Sequence, residues 1–108
     1  MIAAWGDVFG AFVADLAETP APEGGTLLDS TLLVWVSEYG SIPAAHSRNA
    51  VLCVIVDATG TFDTGGAIEV EATQADLAYT IAAAMDVELG SFGDPGLAGS
   101  VIDTLLAP

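Results

Sequence analysis

One stretch limits the possible folds more than any other: Thr31-Leu32-Leu33-Val34-Trp35-Val36, followed at once by Ser37-Glu38-Tyr39-Gly40. From Thr31 to Val36 every residue is β-branched, aliphatic or aromatic. A half-exposed strand alternates apolar and polar residues, and this run does not. It reads as a strand covered on both faces, as in a parallel or mixed sheet flanked by helices. A second apolar run, Ala50 to Val56, ends at Asp57 and reads as a neighbouring buried strand. In sheets of that kind, ligands bind beyond the carboxyl ends of the strands. Ser37, Glu38 and His46 fall at or just past that end.

Two helices supply cover. Trp5, Val8, Phe9, Phe12, Val13 and Leu16 recur at spacings of three and four, which predicts an amphipathic helix over about 2–17. Pro20 and Pro22 stop it. Thr73-Gln74-Ala75-Asp76 has the form of a capping box and predicts a helix over about 74–85. Its expected inner face is Leu77, Ile81, Ala84 and Met85. Asp29 or Ser30 suits a turn into the first strand, and Asp94 before Pro95 suits another. Residues 67–70 read as a short edge strand, and Val101 to Leu106 as a last half-turn or short helix. The fold class expected is therefore α/β: a small mixed or parallel sheet with two flanking amphipathic helices.

The chain of 108 residues is read as a single domain, or as the C-terminal fragment of a larger one. Its hydrophobic fraction of 53% separates it from disordered chains. No apolar run approaches the roughly 20 residues that span a bilayer. The stretch from Met1 to Asp7 lacks the basic n-region of a signal peptide. Charge is the most unusual property: 15 acidic residues face one basic residue, Arg48. Nucleic acid is excluded as a partner, because binding needs cations to neutralise phosphates. The acidic surface serves solubility, adaptation to high salt, or attraction to cations or to a basic partner. Repulsion among the acids also predicts that salt and mild acid stabilise the fold. Cys53, the single cysteine, lies inside an apolar run and reads as a small hydrophobe.

Several features together resemble the C-terminal part of the domain-of-unknown-function 1552 family, a large exported family. They are the aromatic first helix; the leader from Pro22 through Gly24, Gly25, Asp29 and Ser30 into Leu32; Ser37-Glu38 followed by Gly40; His46-Ser47-Arg48; Ala75-Asp76-Leu77; and Ser91-Phe92-Gly93-Asp94-Pro95. That family is similar to the alkaline-phosphatase-like and sulfatase-like enzymes. In those enzymes an apolar strand ends in an acid and a histidine that bind a divalent metal, which activates the nucleophile. The resemblance implies that Glu38 matches the acid, Gly40 the glycine, and His46-Ser47 the family's His-Ser step. It also implies an extracytoplasmic location. Tyr39 departs from it, standing where those enzymes place histidine. The nucleophile and the remaining metal ligands of the family lie outside the matched part.

Glu38 and His46 are thus the candidate metal ligands. One carboxylate and one imidazole fall short of the three protein ligands common at catalytic zinc. No catalytic residue is assigned, since Ser47 beside His46 has no identifiable orienting acid. No cofactor other than a divalent metal is implied. Two functions follow as expectations. One is a non-enzymatic structural or interaction module that self-associates or binds a partner chain. The other is a fragment of a metal-dependent phosphate or sulfate ester hydrolase with residual metal binding. The first is preferred for the isolated chain, because its ligand set is incomplete and it has no lysine to guard an exposed strand edge.

Overall fold

A computed structural model describes residues 2–37, 51–97 and 99–108. Among the described residues the chain is mixed α/β, with two helices and a two-stranded antiparallel sheet. Two compact units divide it, residues 1–59 and 60–108.

In the first unit, helix α1 spans Ile2–Glu18. Its end is set by Thr19, whose Oγ1 donates to the Asp15 carbonyl at 2.6 Å, and by Pro20. The chain then turns back: the Leu27 N–H donates to the Thr19 carbonyl at 2.9 Å, and Pro20 bridges Thr26. A 3-10 turn at Leu27–Ser30 follows, capped by Thr26 and Asp29. The Asp29 carboxylate accepts the Thr26 N–H at 2.7 Å, which is the turn role expected of that acid. Strand β1, Leu32–Val36, then pairs with β2, Cys53–Asp57. Both lie within the predicted strands except that β2 reaches Asp57.

The sheet direction corrects the sequence reading. β1 and β2 run antiparallel, with Leu33 opposite Val56 and Trp35 opposite Val54. A run of apolar residues reports how a strand is covered and carries no information about the direction of its neighbour. The cover is also thinner than expected. Within β1 only Leu33 is buried, at 5% exposure, while Val36 is 43% exposed. Directly opposed residues share a face, so Leu33, Trp35, Val54 and Val56 lie on one side of the sheet. Helix α1 covers that side through Phe9, whose ring centroid is 5.7 Å from that of Trp35.

The second unit is built on helix α2, Gln74–Ala84. Its start is the predicted capping box: the Asp76 N–H donates to Thr73 Oγ1, and the Thr73 N–H donates back to Asp76 Oδ2. Its end has a Schellman pattern. The Val87 N–H reaches the Ala82 carbonyl at 2.8 Å and the Asp86 N–H reaches the Ala83 carbonyl, with Asp86 at φ 56°. The expected inner face needs correction. Met85 is 65% exposed, and the fully buried residue of the helix is Thr80. Residues 67–70 form no strand. Instead Phe62, 4% exposed, bridges Leu106, with the Asp63 and Ala107 N–H groups donating to Leu105 and Thr61. Asp94 shapes its turn by accepting the Gly96 N–H at 2.8 Å. The half-turn or short helix expected near the C-terminus is a 3-10 turn at Asp103–Leu105.

Candidate functional site

The residues of the expected metal site, Glu38 and His46, together with Tyr39, Gly40, Ser47 and Arg48, lie outside the described residues. Ser37, the first residue of that motif, continues the ladder by donating its N–H to the Leu52 carbonyl at 3.2 Å. Among the described residues no group of three or more His, Cys, Asp or Glu side chains could hold a metal ion.

What the first unit does present is an open apolar groove of about 650 Å³ beside β1. Trp5, Val8, Phe9 and Phe12 of α1 form one wall, and Thr31 to Val36 form the other. These helix positions are spaced i, i+3, i+4 and i+7, the stripe read from the sequence. The sequence reads that stripe as one apolar face of a helix packed on the strands, and the structure divides it. Phe9 packs on Trp35, while Trp5, Val8 and Phe12 are 60%, 61% and 54% exposed.

Thr31 and all five residues of β1 line this groove, although alternate side chains of a strand point to opposite faces. Residues of both faces of β1 therefore contribute to the groove. Hydrogen-bond alternation identifies the groups on the edge of β1 away from β2. Since Ser37 bonds across to Leu52, Trp35 and Leu33 are the next residues to bond to β2. Leu32, Val34 and Val36 turn their N–H and C=O groups the other way, away from β2. The signal was available in the sequence, since an apolar strand without lysine or proline is an unguarded edge.

Cys53 sits at the start of β2, half-buried, and burial pushes its thiol pKa above the ordinary value. That environment suits the small-hydrophobe role and disfavours a reactive thiolate.

The second unit carries a different constellation. Asp76 and Thr80, one turn apart on α2, pin the C-terminal segment. Asp76 Oδ1 accepts the Ser100 N–H and Thr80 Oγ1 accepts the Ile102 N–H, both at 2.8 Å. Thr80 Oγ1 also donates to the Asp76 carbonyl at 2.7 Å. N–H groups of Thr73 and then Ser100 hold the Asp76 carboxyl below the ordinary carboxylate range. Gly99 makes this approach possible: a Cβ there would sit 2.6 Å from Tyr79 Cδ2 and 2.9 Å from the Ala75 carbonyl carbon. A shallow groove runs alongside, between 68–72 and 100–104. Asp76, its best-placed acid, is already committed to capping and pinning. This cluster is structural.

The chain matches no protein-family model, no curated protein and no solved structure. No helix among the described residues is long and apolar enough to cross a membrane.

Proposed function

We propose that this chain is a non-enzymatic interaction module whose β1 edge docks an extended protein strand, supplied by a second copy or by a partner chain. One observation carries the reading: a groove walled by exposed aromatics lies beside β1, where Leu32, Val34 and Val36 turn their backbone groups away from β2. An added strand would complete their hydrogen bonds and place alternate side chains against Trp5, Val8 and Phe12. Descent from the C-terminal part of the domain-of-unknown-function 1552 family belongs to the same proposal. It rests on the motif residues around Asp29, Glu38, His46 and Asp94, and places the module outside the cytoplasm. In an intact member, neighbouring elements would occupy the edge that is open here.

Amide exchange tests the reading directly. The Leu32, Val34 and Val36 amides should exchange faster than those of Leu33 and Trp35, and the chain should bind a hydrophobic dye. Light scattering coupled to size exclusion should show association at micromolar concentration, or the dye should be displaced by a strand-forming peptide. A compact monomer with uniform protection along β1 and no dye binding would sink the proposal.

A further inference from the structure

Resting on that reading, we infer that the occupant of the β1 edge is a cationic extended segment of another protein, alternating apolar residues and flanked by Lys or Arg. The argument is one of charge. The wall residues of the groove are uncharged, so the groove itself calls for apolar side chains. The first unit carries seven of the chain's 15 acids and its one basic residue, Arg48. On α1, Asp15 lies three residues beyond Phe12 and seven beyond Val8, one helical row from the groove wall. Asp29 stands two residues before Thr31, where the strand wall begins. Asp15 thus continues the helix face that walls the groove, and Asp29, whose carboxylate accepts the Thr26 N–H, precedes the strand wall in the chain.

A second copy brings the same acidic first unit to the contact, and its own Asp15 and Asp29 with it. Every approach of two such edges sets like charge against like charge. A strand with basic ends gains where a second copy loses: its apolar centre fills the groove while its ends meet the acids of the first unit. The field of the whole chain also speeds its arrival. The absence of lysine along β1 fits the same scheme. Lysine there would guard the edge against any strand and would repel this one.

The two occupants respond to salt with opposite sign, which decides between them. The probe is a seven-residue peptide of alternating valine and threonine with lysine at both ends, followed by fluorescence anisotropy with the full chain. Control peptides replace the lysines by glutamate, or methylate the backbone nitrogens facing β1. The lysine peptide should bind and the two controls should not. Its affinity should fall about tenfold as ionic strength rises from about 0.01 M to about 0.15 M and the screening length shortens from about 30 Å to about 8 Å. Val34→Pro should abolish binding while leaving the β1–β2 ladder intact, because the N–H it removes points away from β2. Should that variant misfold, the methylated peptide asks the same question from the ligand side. Asp15→Lys should weaken the lysine peptide several-fold and leave the fold unchanged.

Equal binding of the lysine and glutamate peptides would overturn the charge inference and leave edge docking standing. Self-association that grows with salt and competes with the peptide would make a second copy the occupant, again overturning the inference alone. Binding of neither peptide, with no self-association at any salt, would remove the docking reading itself.

Discussion

The two units hold themselves together by different means. Residues 1–59 rely on apolar contact: an aromatic stripe on α1, a ring pair between Phe9 and Trp35, and a short antiparallel ladder. Residues 60–108 rely on directed polar bonds: a reciprocal capping box, and two side-chain oxygens on α2 that seize the N–H groups of Ser100 and Ile102. Apolar packing is non-directional, so a stripe can be half covered and leave the remainder for a partner. Hydrogen bonds have fixed donors and acceptors, and once made they leave little to offer. The aromatic-walled groove accordingly lies in the first unit and the hydrogen-bonded clamp in the second.

The contrast yields an ordered set of substitutions. Both tryptophans, Trp5 and Trp35, lie in the first unit, so their fluorescence reports that unit alone. Leu33→Ala should have the largest effect. It hollows the one buried position of β1 and should cost about 2–5 kcal/mol, seen as a lowered denaturation midpoint by tryptophan fluorescence. If the midpoint is unmoved, apolar packing does not hold this unit.

Thr80→Val comes next. Valine keeps the shape but leaves the Ile102 N–H without its acceptor, at about 1–3 kcal/mol. The loss should appear as faster exchange of the Ile102 amide, with tryptophan fluorescence of the native chain unchanged. Gly99→Ala should act in the same unit, by about 1–3 kcal/mol of overpacking against Tyr79 and Ala75. A neutral Gly99→Ala would mean that the C-terminal segment can lift off α2 without loss.

Acid should act on the second unit through Asp76. Its carboxyl sits below the ordinary range when folded, because Thr73 and Ser100 donate to the ionised form. Folding therefore favours the carboxylate. The contribution is complete above the unfolded value of about 4 and is lost as pH falls through the lowered folded value. Monitoring Ser100 amide exchange from neutral pH downwards checks this, with Asp76→Asn as the pH-insensitive reference. At this site the effect runs against the stabilisation by mild acid expected from net charge alone. General self-repulsion and a specific clamp have opposite signs, and amide-resolved data separate them.

The smallest stability effect should come from Val8→Ser, at a side chain 61% exposed. Its change should fall within about 0.5 kcal/mol, as for surface positions generally. Loss of peptide binding without loss of stability would separate the docking surface from the core of the first unit.

By itself, the sequence determined the elements whose causes are local. Helix α1 follows from periodic apolar residues ended by Pro20, and α2 from the Thr73–Asp76 capping box. The strands follow from two unbroken apolar runs, and the Asp94 turn from an acid set before proline. Each depends on residues within about one turn of one another, so a linear reading reaches it. Only the tertiary structure decided that the sheet is antiparallel, because an apolar run has no polarity that reveals its neighbour's direction. Only it divided the α1 stripe into a packed Phe9 and an exposed Trp5, Val8 and Phe12, since periodicity shows which residues share a face but not how far that face is covered. It also made Thr80 the most buried position of α2. A threonine earns that place when a segment some twenty residues later brings an N–H that needs its oxygen, and no local pattern foretells that arrival.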